Sequence, residues 1–278
     1  MEVTPHAGMG VVITGVDLSQ PISDDLAEQL VQLYAENGLI FFRDQELSPE
    51  DHIHLAGIFG EININRFFSP VPDYPNIAEV RKSPTDKFNI GENWHTDHSY
   101  DQIPAMGSIL LARQVPATGG DTRWANMYAA YDALSDSMKD KLLTMRAHHS
   151  TAKTFANKDA IPEEAKDRLA NLDIPIVEAI HPVVIQHPLS GKSALYVNPD
   201  FTIRFDGMSE EESQPLLEEL WAHSVKPEFI CRFKWDVGSI AFWDNRATMH
   251  SAMNDYHGQA RLMHRITLDG QPLSAAVH

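Results

Sequence analysis

The arrangement of strand-like segments is the feature that most constrains the fold. Apolar, strand-like runs dominate the second half of the chain, and turn signals such as Gly119-Gly120 and Asp206-Gly207 separate them. They do not alternate regularly with helices, as the strands of a parallel sheet would. The pattern predicts a mainly β protein, an antiparallel sandwich or jelly roll with helices packed outside. The predicted strands are Met106–Ala112, Ile180–Gln186, Ala194–Val197, Phe229–Trp235, Ser239–Trp243 and Arg261–Leu268.

Helices are predicted where a capping residue precedes an apolar stripe of helical spacing. A chain of 278 residues with 43 % hydrophobic residues can form one β domain of this kind, so we expect residues 1–278 to be a single domain. Leu39–Phe42, after the first helix, is predicted to be a buried strand. The helices are predicted to run from Ser23 to Gly38 and from Pro49 to about Ile58, and to begin at Ser135 and Ser209.

The charge balance limits the partners of the protein. A net charge of −17 repels nucleic acid and anionic lipid, so we expect neither a nucleic-acid nor a membrane partner. A small anionic substrate remains compatible, because a pocket can hold positive charge locally. Cys231 is the only cysteine, and the chain has neither a signal-peptide pattern nor a membrane-spanning apolar run. The expected location is the cytoplasm.

A candidate metal site begins at His95 and Asp97. In an extended strand, residues i and i+2 point to the same face, so these side chains could bind one metal ion. A His-x-Asp pair is expected by chance in a chain with 14 histidines, so the pair alone could equally be a structural His beside a capping Asp.

A third ligand candidate, His250, follows a buried apolar strand that ends at Trp243-Asp244-Asn245. Only a closed fold could bring it to His95 and Asp97. Two histidines and one carboxylate on one side of a metal are typical of non-haem Fe(II) oxygenases. Zinc accepts similar ligands, so the metal has to be decided by neighbouring residues.

The neighbouring residues that decide it are Arg261 and Arg265. On a strand, both side chains share a face with Met263. Two arginines in this pattern could form a solvated edge, or a pair of guanidinium groups that bind carboxylates inside a barrel. A metal site beside such a pair suits a 2-oxoacid cosubstrate, which favours iron over zinc.

Taken together, these residues resemble the taurine dioxygenase/2,4-dichlorophenoxyacetate dioxygenase family of Fe(II)/2-oxoglutarate-dependent oxygenases. The resemblance extends over nearly the whole chain, and it implies a cupin-like double-stranded β-helix, or jelly roll, with flanking helices. The matching segments are Ile13-Thr-Gly-Val-Asp-Leu18, Phe59-Gly60-Glu61, Asn93-Trp-His-Thr-Asp97, Gly119-Gly-Asp-Thr122, Ala129-Ala-Tyr-Asp-Ala-Leu-Ser135, Trp243-Asp-Asn-Arg246, His250, and Asn254-Asp-Tyr256 through Arg265.

The resemblance assigns a role to each of the matching positions. It places the catalytic iron ligands at His95, Asp97 and His250, with 2-oxoglutarate as cosubstrate and O2 as oxidant. Arg261 and Thr122 match residues that hold the distal carboxylate of 2-oxoglutarate. Further matches are Arg265, near the keto-acid end and the anionic group of the substrate, and Phe155 and Phe201, against the apolar part of the substrate. Members of the family often form dimers or tetramers, so a homo-oligomer is expected.

Departures from the family pattern bear on the substrate. Taurine dioxygenases place a His, a Tyr and an Asn around taurine, where this chain has Asn65, Phe68 and Gly91. The residue after the Asp ligand is His98, which could bind the anionic end of the substrate or cap the pocket mouth. Without partners for the ammonium of taurine, a more apolar anion is the better match. We expect an aryloxyalkanoate, an alkylsulfonate or an alkyl sulfate.

Other functions remain to be distinguished from this one. The first is taurine dioxygenase activity itself. The second is a metal-dependent hydrolase on a cupin-like barrel, whose activity would not depend on 2-oxoglutarate and which has no use for Arg261 with Thr122. The third is a non-catalytic protein that binds a small anion, which the intact set of metal ligands disfavours.

Overall fold

A computed structural model describes residues 1–155, 166, 168–169 and 175–277, apart from the side chains of Thr154 and Phe155. The helices are α1 Asp24–Asn37, α2 Pro49–Phe59, α3 Met127–Asp132, α4 Asp136–Leu143, α5 Ala152–Phe155 and α6 Glu210–Ser224, with a 3-10 turn at Pro227–Phe229. The predicted helices are confirmed with their caps. In each, a serine hydroxyl before the first turn accepts a backbone N–H; these are Ser23, Ser48, Ser135 and Ser209.

Strands make up most of the remaining regular structure in the described residues. They are β1 Glu2–Pro5, β2 Val11–Thr14, β3 Leu39–Phe42, β4 Ile62–Asn63, β5 Pro70–Val71, β6 Tyr74–Lys82, β7 Gly107–Gln114, β8 Thr122–Asn126, β9 Arg146–Ser150, β10 Glu178–Pro182, β11 Val184–Gln186, β12 Ser193–Leu195, β13 Thr202–Phe205, β14 Ile230–Phe233, β15 Ile240–Asp244, β16 Thr248–Ala252, β17 Arg261–Leu268 and β18 Ser274–Ala275.

One large sheet and three small sheets form the jelly roll. The large sheet has the order β1-β2-β3-β15-β7-β17-β6-β5, with β4 also paired to β17. The small sheets are β14-β8-β16, β10-β9-β13 and β12-β11-β18. The pairing is antiparallel except between β2 and β3. The predicted mainly β architecture, a double-stranded β-helix with flanking helices, is confirmed.

Alternation along the large sheet separates two hydrophobic layers. On β7, Ile109 and Leu111 pack with α1 and α2, while Leu110 and Ala112 pack toward the small sheets. The strand β17 follows the same rule, and Arg261, Met263 and Arg265 are buried on the inner face as predicted. Burying an aliphatic side chain of this size stabilises the fold by about 1.5–3 kcal/mol. Arg261 and Arg265 occupy positions on this inner face where an aliphatic side chain would stabilise the fold. Their presence there is therefore explained by what they bind.

One predicted strand is wrong in its extent. The run Ile180–Gln186 is split into β10 and β11, which belong to different small sheets. Pro182 ends β10, and a proline has no N–H to continue a ladder of hydrogen bonds. The chain therefore crosses from one sheet to the next at Val183, although its apolar pattern is continuous.

A buried histidine on α2 makes the stability depend on pH. Burial, with smaller effects of His264 and Arg113, lowers the pKa of His52 from 6.5 to about 3. Below pH 6.5 the unfolded chain therefore takes up a proton that the folded chain does not, and stability falls as the pH falls toward 3. We expect this residue to lower the free energy of unfolding by about 2 kcal/mol between pH 7.5 and 5.

Chemical denaturation at several pH values measures this effect. The variant His52→Leu should have a flatter pH profile than the wild-type protein. The matched control is His54→Leu, on the exposed side of the same helix, which should keep the wild-type profile. Parallel profiles for wild type and His52→Leu would contradict the assignment.

Among the described residues, no helix has the length and apolar character that a membrane crossing needs.

Candidate active site

Backbone pairing brings His95 and His250 together. Their backbones form an isolated antiparallel bridge, in which His95 N donates to His250 O at 3.0 Å and His250 N donates to His95 O at 2.8 Å. The ring centroids lie 4.1 Å apart. The fold is closed as the sequence required, and this backbone pair is where the two distant segments meet.

The carboxylate of Asp97 lies beside both imidazole rings, and Asp97 belongs to a turn. Its Oδ1 lies 3.6 Å from His95 Nε2, and its Oδ2 lies 3.6 Å from His250 Nε2. One ligand atom from each of the three side chains lies within 4.8 Å of the others, so the group can hold a metal ion. The predicted strand geometry is wrong here, because only His95 is paired and a turn begins at Asp97. His98 then adopts a left-handed conformation, with φ of 57°.

The tautomer of His95 is determined by a backbone carbonyl. His95 Nδ1 lies 2.8 Å from the oxygen of Asn93. Since a carbonyl can only accept, Nδ1 carries the proton and Nε2 keeps its lone pair for a metal. This arrangement is common for metal-binding histidines, and it orients the ring before any ion binds.

The charges around the cluster favour its metal-binding protonation states. Burial alone would raise the pKa of Asp97, but the positive charge of Arg265 opposes this effect, and the pKa lies well below its usual range. Burial, followed by the effect of His95, holds the pKa of His250 well below its usual range. An ionised carboxylate and a neutral imidazole are the forms that bind metal.

Arg265 contacts the His-Asp-His cluster directly. Its Nη2 lies 2.8 Å from Asp97 Oδ2, an ion pair without the alignment of a hydrogen bond, and its Nε donates to Ser108 Oγ at 3.1 Å. The sequence placed Arg265 near the cosubstrate and substrate, and the structure adds that it orients the carboxylate ligand. No sequence signal indicated this pairing.

Arg261 is a buried cation. It is 5 % exposed, and its Nε and Nη2 have no hydrogen-bond partner in the described part of the chain. Burial lowers the pKa of its guanidinium group, although an arginine stays charged at neutral pH. An uncompensated buried charge is costly unless a ligand pairs with it. The arrangement fits a site for an anion.

A cavity of about 500 Å³ contains the His-Asp-His cluster, Arg261, Arg265 and Thr122. All the predicted substrate residues whose side chains are described line it: Asn65, Phe68, His98, Phe201 and Arg265. The side chain of Phe155 lies outside the described residues, so its predicted role stays a prediction. The sequence did not single out Phe67 and Tyr100, which add two further rings to the wall.

His98 is held from behind by charged residues. Its Nδ1 lies 3.0 Å from Asp101 Oδ2, and Asp101 also pairs with Arg66. The His98 ring stacks on Tyr100 with centroids 5.8 Å apart. The spacing of His98 and Asp101 across a turn was the available sequence signal. The role of Arg66 required the tertiary structure.

The Trp-Asp-Asn-Arg segment lies behind the site. Asp244, at the end of β15, is fully buried and accepts two hydrogen bonds from the guanidinium group of Arg246, at 2.9 and 2.6 Å. His187 Nε2 lies 3.0 Å from the same carboxylate. Burial would raise the pKa of Asp244, but Arg246 and His187 hold it well below its usual range. This network stabilises the turn that leads into β16 and so positions His250.

Comparison with known proteins agrees with this geometry. A family model described as taurine catabolism dioxygenase TauD, TfdA family, matches residues 2–267. The chain belongs to this family. It is 32 % identical over 275 residues to an alpha-ketoglutarate-dependent sulfate ester dioxygenase of Pseudomonas putida, across 98 % of this chain and 90 % of the relative.

Further relatives of this TauD/TfdA-family protein point the same way. The chain is 30 % identical over 282 residues to an alpha-ketoglutarate-dependent 2,4-dichlorophenoxyacetate dioxygenase of Cupriavidus pinatubonensis, across 95 % of this chain and 96 % of the relative. The crystal structure of a taurine dioxygenase from Burkholderia xenovorans has a TM-score of 0.82 at 32 % identity, across 100 % of this chain and 96 % of that one.

The protein is therefore a 2-oxoglutarate-dependent dioxygenase, whose cofactors are Fe(II), 2-oxoglutarate and O2. The residues present fit these groups. Two imidazole nitrogens and one carboxylate oxygen suit Fe(II) and leave coordination positions open. The buried guanidinium of Arg261 suits a carboxylate.

Proposed function

We propose that this dioxygenase hydroxylates a small organic anion, with His95, Asp97 and His250 as the catalytic iron ligands. The observation that carries the proposal is one cavity that contains both the His-Asp-His cluster and Arg261, whose Nε and Nη2 have no partner among the residues that the structure describes. With Fe(II) bound, the site would supply oxidative chemistry in which 2-oxoglutarate, O2 and a substrate C–H give succinate, CO2 and a C–OH.

The chain's own residues contribute binding and orientation. Arg261 and the Thr122 hydroxyl hold the distal carboxylate of 2-oxoglutarate. Arg265 orients Asp97 through its 2.8 Å contact and places positive charge toward the keto-acid end and the substrate anion. The buried aromatic wall excludes water from the space between cosubstrate and substrate.

The lining of the cavity supports an apolar anion as the substrate. Phe68 and Phe201 belong to an aromatic wall, and Gly91 contributes no side chain. The Oδ1 of Asn65 accepts the backbone N–H groups of Phe67 and Phe68 at 2.9 and 3.0 Å, so that oxygen is already used. These positions offer little to the ammonium of taurine. They favour an aryloxyalkanoate, an alkylsulfonate or an alkyl sulfate, classes to which substrates named for two relatives belong. His98 lines this cavity as well, where it could bind the anionic end of the substrate or cap the pocket mouth.

A substrate panel tests the proposal. Anaerobically purified enzyme is given Fe(II), 2-oxoglutarate and O2 with alkyl sulfates, alkylsulfonates, aryloxyalkanoates or taurine, and succinate is measured. We expect succinate formation to rise with at least one of the first three classes and to stay near the substrate-free rate with taurine. Taurine as the best substrate would overturn the substrate class. Product formation that needs neither 2-oxoglutarate nor O2 would instead indicate the hydrolase.

The number of domains, the location and the oligomeric state of the protein are also proposals. We infer a single domain, a cytoplasmic location and a homo-oligomer, a dimer or tetramer. The family match across residues 2–267 supports the single domain. Light scattering after size exclusion would give the oligomeric state, and a monomer at micromolar concentration would contradict the inference.

A further inference from the structure

Trp235 connects the two residues assigned to the distal carboxylate. It lies just beyond β14, is 4 % exposed, and is not part of the cavity wall. Its indole Nε1 donates to Thr122 Oγ1 at 3.0 Å. The guanidinium carbon of Arg261 lies 5.8 Å from the centre of its ring. One side chain behind the cavity therefore contacts both anion-binding residues.

The hydrogen bond from Trp235 determines what Thr122 can offer to a ligand. An indole N–H can only donate, whereas a hydroxyl has one proton and two lone pairs. With one lone pair engaged by Trp235, the hydroxyl is oriented and its own proton has to find another acceptor. Within the described residues Thr122 Oγ1 donates to none, so the proton is available to a ligand in the cavity.

The nearby carboxylate does not serve as that acceptor. Asp121 precedes Thr122, and its carboxylate accepts from Arg232 Nε at 2.6 Å but makes no hydrogen bond with Thr122 Oγ1 in the structure. Arg261 Nε and Nη2 remain without a partner in the described chain. The unsatisfied donors of Arg261 and Thr122 together suit the two oxygens of a carboxylate that comes from a ligand.

We propose that Trp235 is a positioning residue for 2-oxoglutarate: its N–H orients the Thr122 hydroxyl as a donor to the distal carboxylate, and its ring lies against Arg261. The inference rests on the proposed binding of 2-oxoglutarate by these two residues. Trp235 acts on the cosubstrate only through them.

A double-mutant cycle tests the inference by direct binding. Calorimetric titration of 2-oxoglutarate into the Mn(II)-loaded protein is compared for wild type, Trp235→Phe, Thr122→Val and the double variant. Because Trp235→Phe removes a single hydrogen bond, we expect it to weaken the binding of 2-oxoglutarate about three- to tenfold in the protein that retains Thr122. In the Thr122→Val background the same change should have no further effect, since the hydroxyl that it orients is absent.

The matched control is Trp221→Phe, on α6, whose buried indole N–H has no partner among the described residues. It should bind 2-oxoglutarate like wild type. Equal loss of affinity from Trp235→Phe in both backgrounds, or no loss in either, would overturn the inference. If wild type itself does not bind 2-oxoglutarate, the proposed function fails instead.

A second substitution keeps the test valid if Trp235→Phe does not fold. Site-specific replacement of Trp235 by 3-benzothienylalanine preserves the ring shape and removes only the N–H. The same three- to tenfold loss, about the free energy of one hydrogen bond, supports the inference. Wild-type affinity in this variant overturns it.

Discussion

His95→Ala is expected to abolish metal binding and 2-oxoglutarate-dependent turnover. The contact of His95 Nδ1 with the oxygen of Asn93 leaves the lone pair of Nε2 available to the metal, and the backbone of His95 is paired with that of His250. Loss of an outer hydrogen-bond partner of a metal ligand alone costs about 10- to 100-fold in affinity or activity. Removing the ligand should therefore lower succinate formation by more than about 100-fold. Calorimetry with Mn(II) and the succinate assay measure the two effects.

The control is His257→Ala, an exposed histidine away from the cavity. This variant should keep wild-type metal binding and activity. We expect both variants to fold, because the backbone bridge between His95 and His250 does not need the imidazole. Circular dichroism measures whether they are folded. Wild-type activity in His95→Ala would remove this residue from the metal site and leave the cavity without its three-ligand cluster.

Arg261→Ala should sharply raise the 2-oxoglutarate requirement. Its Nε and Nη2 are buried and have no acceptor among the described residues, so no described side chain competes with a ligand carboxylate for them. Losing a buried, charge-assisted contact of this kind costs about 2–4 kcal/mol, or roughly 30- to 1,000-fold in affinity. The Kd for 2-oxoglutarate and its KM in the succinate assay should both rise, while Mn(II) binding should not change.

Arg113→Ala provides the matched arginine control. Arg113 lies on β7 outside the cavity, where its Nε donates to His264 Nδ1 at 3.1 Å. Arg261→Lys should recover part of the affinity, since it restores the charge without the two-pronged geometry. An unchanged 2-oxoglutarate requirement in Arg261→Ala would show that the distal carboxylate binds elsewhere.

Much of the site could be predicted because its signals are local. The period-two alternation of β17 put Arg261 and Arg265 on one buried face, and that face proved to be the cavity side. Serine caps located the helices for the same reason. The His-x-Asp pair was also recognised, but its geometry was predicted wrongly, because a turn rather than a strand brings Asp97 back to His95.

Local sequence patterns could not predict the contacts between distant segments. The ion pair of Arg265 with Asp97 and the hydrogen bond of Trp235 to Thr122 join residues far apart in the chain. Each depends on which strands become neighbours and in which register, and a shift of one residue would turn the side chain to the other face.

The sequence by itself determined the strand-rich architecture, the capped helices, and the identity of the residues that can bind a metal and an anion. Periodicity, capping and donor chemistry are properties of short segments. Only the tertiary structure decided that His95 pairs with His250, that Arg265 contacts Asp97, and that two donors of Arg261 have no acceptor in the described part of the chain. These facts depend on the closure of the jelly roll, which places segments that are far apart in the chain around one cavity.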